Sequence, residues 1–498
     1  KATPHAPDLD GYGCIGQGQN LCDIVQALRC GCSTDLSNAI ADRAMFHADN
    51  AYYLPAVRIE SHRCRTNTVS NTAFRGFGGP QGMLGVERII HRIATELGRD
   101  PLEVRKANLY GSAPRNVTPY EMEITEPVLG DLMAELETRA NYQTRLAEVE
   151  AFNAKAGIFR KGLALTPVKF GISFTTTFLN QAGALVHVYT DGSVHLNHGG
   201  TEMGQGLFVK VAQVVAETFS IDLDRVAVSA TNTGKVPNTS ATAASAGTDM
   251  NGMAARRAAL TIRERLTRFA AELHQAQPED VEWRRNRIAI RGEEMSWERL
   301  IKEAYLARTS LSSTGYYATP MIHYDATKMR GHPFFYFAHG AAVSEVIVDS
   351  LTGEHRIDRV DILHDVGKSL NPAIDLGQIE GGYIQGAGWL TMEELWWDDK
   401  GRLRTHAPST YKIPTASDRP AVMNIDLWRS RGDHAETIFR SKAVGEPPLM
   451  LAISAFEALQ MAVSSFASSP DQIAWLNAPA TPEAVLLAVE ATKRDAVA

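Results

Sequence analysis

The sequence predicts an α+β protein, and three observations predict it. Two hairpin signals sit between alternating apolar runs, at Asp191-Gly192 and near Thr352-Gly353. Long segments with helical apolar spacing alternate with those hairpins rather than with single strands. A chain of 498 residues is long enough for two or three packed units.

The elements follow in order. After an irregular start, "GPQGMLGVERIIHRIATELGRDP" reads as a helix, with Pro80 suited to its first turn. Met83, Val86, Ile90, Ile93 and Leu97 recur at helical spacing, Gly98 ends the run and Pro101 starts the next element. Residues 111–130 are rich in Pro, Gly and Thr without a clear period and read as a linker. A polar helix is predicted near 131–155. Then come the first hairpin, a helix over Gly206 to Phe219, a strand "RVAVSA", a long helix over Asp249 to Leu273, and the second hairpin. The chain shows no tandem repeat and no low-complexity tract.

The composition, 44% hydrophobic and 21% charged, is that of a globular protein. A net charge of -7 argues against nucleic acid as the main partner, and no apolar run reads as membrane-spanning. All five cysteines (Cys14, Cys22, Cys30, Cys32, Cys64) fall in the first 64 residues without a C-x-x-C pair. That spacing suits neither zinc nor an iron–sulfur cluster, and reduced thiols in the cytoplasm are expected. His62 and Cys64 read as ordinary surface or core residues, and Trp396 and Trp397 as core or interface aromatics.

Four stretches combine glycine with small hydroxyl residues, each placed before a predicted helix: 71–82, 197–206, 238–252 and 377–388. Such segments let the backbone approach a ligand and offer N–H groups to an anion, with Thr242, Ser245 and Thr248 adding hydroxyls. None matches a P-loop or a dinucleotide fingerprint. Glu446 stands between Gly445 and two prolines at a helix start, where a carboxylate tends to stay ionised and able to accept a proton. Glu202 reads instead as a hydrogen-bonded interior group without a catalytic role.

These residues carry a resemblance. "SNTAFRGFGGPQG", "KFGISFTTTFLNQAGALVHVYTDGSVHLNHGGTEMGQG", "VPNTSATAAS", "LNPAIDLGQIEGGYIQGAGWLTMEEL", "PSTYKIP" and "SKAVGEPP" resemble the molybdopterin-binding subunit of bacterial xanthine dehydrogenases, within the molybdenum hydroxylase family. The resemblance runs from about residue 30 to the C-terminus. It implies two α+β subdomains with mixed sheets covered by helices. Residues 22–125 would be the C-terminal part of the first and 126–498 the second, with 1–21 unmatched.

The resemblance implies a molybdenum held through a pterin dithiolene, with no protein metal ligand, and a water-derived hydroxylation of hypoxanthine to xanthine to urate. Glu446 matches the family's base, Arg43 the arginine that stabilises charge on the purine oxygen, and Gln205 the glutamine near the metal. Phe77 and Phe174 match aromatic rings that sandwich a flat substrate; Thr175, Ala243 and Ala244 match other residues lining that pocket. Arg75, Gly76, Met203, Gly204, Gln205, Thr242, Ser245, Gln378 and Gly445 match contacts to the pterin or its tail.

The family's upstream segment, with a glycine-glycine-phenylalanine stretch and a second glutamate, is not matched by any residue here. Electrons would leave through 2Fe-2S clusters and FAD on a partner subunit, in a dimer of heterodimers. The alternatives are a hydroxylase of aldehydes or other N-heterocycles, which Arg43 disfavours, and a truncated remnant without cofactor.

Overall fold

The computed structural model describes residues 22–28, 36–63, 72–155, 157–236, 238–428 and 436–494. The unmatched segment 1–21 and the side chains of all five cysteines lie outside what is described. The first elements are β1 (Cys22–Leu28), α1 (Ser37–Phe46), β2 (Val57–Arg63), α2 (Gly79–Glu96) and α3 (Pro101–Asn108). Then come α4 (Leu129–Arg139), α5 (Tyr142–Asn153), β3 (Phe159–Ile172), β4 (Gln181–Val188), β5 (Val194–His198) and α6 (Leu207–Phe219). The middle holds β6 (Val226–Val228), α7 (Gly247–Leu273), β7 (Val281–Arg284), β8 (Arg287–Ile290), β9 (Glu293–Ser296) and α8 (Trp297–Leu306). Next are β10 (Ser312–Ala318), β11 (His323–Asp325), β12 (Arg330–His332), β13 (Tyr336–Asp349) and β14 (His355–Asp365). The chain closes with α9 (Pro372–Thr391), β15 (Val422–Trp428), α10 (Ile453–Ser464) and α11 (Pro482–Arg494).

Two four-stranded mixed sheets organise the protein, in the orders β10-β4-β5-β6 and β15-β14-β13-β3. Each is antiparallel except at one edge, where β6 pairs parallel with β5 and β15 parallel with β14. Both faces of the second sheet are covered, and strand alternation shows how. In β3, Leu163 and Leu165 enter the cluster of α4 and α5, while Ala164, Val168 and Phe170 enter the cluster that holds Phe456 of α10. In β13, Ala341 and Val343 take the first side, and Ala338, Ala342 and Val346 the second. Helices α6 and α7 pack on each other, and α7 lies along β4 and β10.

Both hairpins form where expected, with Gly192 and Gly353 at positive φ of 87° and 74°. The predicted helices over 206–219 and 249–273 are α6 and α7. Four expectations are corrected. The polar helix near 131–155 is two helices, broken at Asn141, whose φ is 50°. Residues 111–130 are a packed segment and no loose spacer: Tyr120, Met122 and Ile124 join Phe46 and Phe334 in one cluster. In α2 the buried stripe includes Glu87, Arg88 and His91, whereas Ile93 and Leu97 are 37% and 61% exposed. The helical period was right, but ion pairing moved the buried face toward its polar side.

The fourth correction concerns 377–388, which lies inside α9 rather than before a helix. Its glycines let α9 lie against the backbone of Pro447–Ala452, a 3-10 turn leading into α10. A Cβ at Gly386 would stand 2.1 Å from the Leu449 carbonyl oxygen, whereas Gly381 faces open space. Gly386→Ala is therefore expected to lose about 1–3 kcal/mol of stability by overpacking. Gly381→Ala is expected to gain about 0.5–1 kcal/mol from helix propensity. Thermal unfolding of the two variants checks both, and equal shifts would contradict the packing account.

The run Pro447–Ser464 is long and apolar enough to cross a membrane, but 89% of it is buried inside the protein. That also corrects the expectation that no apolar run reaches such a length, and the burial is that of a core helix.

Candidate functional site

Segments 203–210, 242–249 and 441–446 converge with Arg75 and α9 around a cavity of about 560 Å³. Segments two and three of the four small-residue stretches supply its rim, and the backbone there is unusual. Ala244 and Ser245 carry positive φ values of 55° and 56°, a region that non-glycine residues adopt at a cost. Such strain persists only where surrounding bonds over-determine it, and here they do.

Glu446 precedes the turn Pro447–Ala452, and its side chain is 14% exposed. Its Oε1 accepts the Gly76 N–H at 3.1 Å, and its Oε2 accepts the Ser245 hydroxyl at 2.9 Å. The Ser245 Oγ in turn accepts the Glu446 N–H at 2.8 Å. The Arg43 guanidinium lies 4.0 Å from Oε2. The carboxylate is thus held in one orientation by two donors while keeping lone pairs to accept a proton.

Arg75 ties the floor of the cavity together. Its Nε donates to the Gly445 carbonyl (2.6 Å), Nη1 to Gln385 Oε1 (3.1 Å) and Nη2 to the Gln378 carbonyl (3.4 Å). Burial lowers its pKa and Glu446 opposes that shift. Thr242 Oγ1 accepts the Thr201 N–H at 2.8 Å, which couples two rim segments. Gln205 lines the cavity with its amide engaged locally, accepting from Met203 N–H at 2.6 Å and donating to the Thr201 carbonyl at 2.9 Å. Met203 is 66% exposed at the rim.

Of the residues expected at the site, Glu446, Arg75, Met203, Gln205, Thr242, Ala243, Ala244, Ser245, Gln378 and Gly445 line this one cavity. Gly76 is joined to it through Glu446, and Gly204 sits outside the lining with its N–H bonded to Glu202. Glu202 accepts three backbone N–H groups, of Gly204, Gly206 and Phe208, and so caps α6. Phe77, Phe174 and Thr175 are half-buried and do not line the cavity.

Arg43 departs most from expectation. It is 2% exposed, and its Nη1 and Nη2 donate to the carbonyls of Ser173 (2.8 Å) and Gly171 (2.6 Å). Its guanidinium packs over Phe170 at 4.6 Å, and it meets the cavity only through Glu446. Burial lowers its pKa, against the pull of Glu446. Its Nε is buried without a partner.

Sequence reasoning missed Lys210, Asp249, Asp375 and Lys442, which also line the cavity. Lys210 pairs with Asp375, and Lys442 Nζ donates to Asp365 Oδ2 at 2.7 Å and Glu126 Oε2 at 3.2 Å. Two of them stand inside motifs already singled out, Asp249 in "SAGTDMNG" and Lys442 in "SKAVGEPP", whereas Lys210 and Asp375 lie just outside the small-residue stretches.

The lining fits a large polar ligand bearing a phosphate and a hydrogen-bonding ring: two lysines, one arginine, four hydroxyls and three amides, beside the carboxylates of Asp249, Asp375 and Glu446. A Cβ at Gly445 would stand 3.0 Å from Ser245 Oγ, so even a methyl group crowds this wall. Among the described residues no cluster of His, Cys, Asp and Glu could hold a metal ion directly.

Loops and helix starts converging on such a cradle suit a cofactor-binding domain, and comparison with known proteins says which. Residues 20–109 and 135–420 each match a family described as "Molybdopterin cofactor-binding domain". The chain belongs to the molybdopterin cofactor-binding domain family. It is 45% identical over 460 residues, 91% of its length, to the xanthine dehydrogenase/oxidase of Felis catus, and 46% identical over 457 residues to that of Gallus gallus. It spans about a third of the length of these relatives (33% and 32%). The structure resembles quinoline 2-oxidoreductase from Pseudomonas putida 86 with a TM-score of 0.82 at 22% identity, covering 94% of this chain and 60% of that one. That likeness shows the fold alone, and it bears out the α+β expectation.

Proposed function

We propose that this chain carries the molybdopterin site of an enzyme that hydroxylates purines, converting hypoxanthine to xanthine and xanthine to urate. The observation that carries the reading is Glu446, held by Gly76 and Ser245 at the wall of a cavity that Arg75, Lys210, Lys442 and several amides and hydroxyls also line. The identity of about 45% to xanthine dehydrogenases supports the substrate class.

Arg75, Gln378, Gln205, Thr242, Ser245 and Gly445 would hold the pterin and its tail, and the bound molybdenum centre would supply the two-electron oxidation. Glu446 takes up the proton released as oxygen is transferred to the substrate. Ser245 and the Gly76 N–H keep its carboxylate aimed and lower the need for reorganisation as charge moves. Arg43, 4.0 Å from the Glu446 carboxylate, would stabilise charge on the substrate oxygen. Phe77, Phe174 and Thr175 would border the substrate, with Ala243 and Ala244 leaving room for it.

Electrons would pass to 2Fe-2S clusters and FAD on a partner subunit, as a dimer of heterodimers in the cytoplasm. The boundary between the two subdomains would fall at 125–126, between the two matched stretches. A second reading, hydroxylation of aldehydes or other N-heterocycles, draws on one observation. Both terminal nitrogens of Arg43 already serve backbone carbonyls, which leaves less of the guanidinium for a purine oxygen.

Elemental analysis of gel-filtered protein tests the reading first. About one molybdenum per chain, with turnover of xanthine exceeding that of an aromatic aldehyde, is expected. Aldehyde turnover in excess would favour the second reading, and no molybdenum would leave a cofactor-free remnant.

A further inference from the structure

The loop that carries Glu446 is anchored from several directions, and one anchor has no part in the proposed chemistry. Lys442 reaches Asp365 and Glu126, the Gly445 carbonyl takes Arg75, and the Glu446 N–H takes Ser245. Between them, the Ala443 N–H donates to the Tyr336 hydroxyl at 2.8 Å, and that hydroxyl donates to Asp249 Oδ2 at 2.8 Å. Asp249 stands in the first turn of α7, is buried, and lines the same cavity. A chain of two hydrogen bonds therefore runs from a buried carboxyl group to the backbone three residues before Glu446.

We propose that Asp249, acting through the Tyr336 hydroxyl, is a positioning residue that sets the Glu446 loop and tightens it when the carboxyl group is ionised. The inference deepens the reading of Glu446 as proton acceptor and rests on it. The physical basis is polarisation. An ionised carboxylate draws the phenol proton toward itself, and the phenol oxygen becomes a better acceptor for Ala443. A neutral carboxyl group accepts more weakly, and the Ala443 N–H then loses part of its hold.

Burial pushes Asp249 up to about 7, against the Tyr336 hydrogen bond and the Lys210 ammonium, so its charge changes near neutrality. The groups facing it are Tyr336 on β13, Lys210 on α6 with its partner Asp375 on α9, and Tyr317 on β10. Lys442 and Glu446 on the loop line the same cavity, and Asp365 on β14 acts on the Tyr336 hydroxyl. Behind the loop, burial holds His339 at about 3 and His364 at about 4, so neither changes charge near neutrality.

Hydrogen exchange of the full chain, read by mass spectrometry on the peptide covering 441–446, tests this without cofactor or turnover. Loss of activity for want of molybdenum therefore cannot be mistaken for failure of the inference. After correction for intrinsic rates, protection of that peptide in the parent chain is expected to rise roughly fivefold to tenfold between about pH 6 and about pH 8. That range is the difference between a hydrogen bond from the Tyr336 hydroxyl to a neutral and to an ionised Asp249, passed to the loop through the phenol. Asp249→Asn is expected to hold the lower value at both, and Tyr336→Phe to fall below it. Three results would each overturn the proposal: wild-type pH dependence in Asp249→Asn, unchanged protection in Tyr336→Phe, or an equal rise in exchange across α7 and β13 in both variants. Should Tyr336→Phe fail to fold, the pH profiles of the parent and Asp249→Asn decide alone.

Discussion

Glu446→Gln is expected to fold, to retain molybdenum and to lose turnover by roughly 10²–10⁴-fold, the range that removal of a positioned general base produces. Glutamine keeps the shape of the side chain, and its carbonyl oxygen can still take the Gly76 N–H or the Ser245 hydroxyl. What it cannot do is accept a proton at neutral pH. The loss should therefore appear in kcat with KM little changed, because the substrate contacts remain. Activity within tenfold of the parent enzyme, at equal molybdenum content, would remove Glu446 from the role of base.

The second large effect is expected at Glu457, which sits in α10 soon after the Glu446 turn and is fully buried. Around it are His91, Arg88 at 3.9 Å and Arg105 at 3.8 Å, and Arg105 also donates to Glu87 at 2.7 Å. Two carboxylates thus face two guanidiniums, and burial lowers the pKa of His91 against the pull of Glu457. Burial pushes the Glu457 carboxyl group up, but His91, Arg88 and Arg105 outweigh it and hold it at about 2. Glu457→Gln leaves a buried positive charge uncompensated, and a loss of about 3–5 kcal/mol is expected.

The sign of its pH dependence follows from linkage. A carboxyl group whose pKa is depressed on folding stabilises the protein above its unfolded value, and that stability is lost as pH falls toward the folded value. The gap in melting temperature between parent and Glu457→Gln should therefore be full at neutral pH and shrink as pH drops from about 4.5 toward about 2. A gap that widens on acidification would show that Glu457 is not held ionised.

Much of this architecture was legible because it is local. Asp191-Gly192 specifies a tight hairpin whatever surrounds it, and Gly192 adopts the positive φ that such turns demand. The run from 249 to 273 keeps helical period for seven turns and forms α7. The carboxylate at 446 stood out because a charged residue between glycine and two prolines has no local reason to be there. What was not legible depended on partners far along the chain. Ile93 and Leu97 were placed on the buried face of α2 by spacing, but Arg88 and His91 took that face because Glu457 waits there. Glycines 382, 386 and 388 looked like a ligand cradle, and only the folded chain shows that the first two make room for Pro448 and Leu449 and the third for the Pro414 ring.

The sequence by itself determined the turns, the helix starts and the inventory of chemical groups, since each of these rests on φ/ψ preference and side-chain type within a few residues. Tertiary structure alone decided which groups meet. Gly76 and Glu446, 370 residues apart, share a hydrogen bond, and Arg43 turns its donors to carbonyls 128 and 130 residues away. Packing sets the partner of each of these groups, and packing is a property of the chain as a whole.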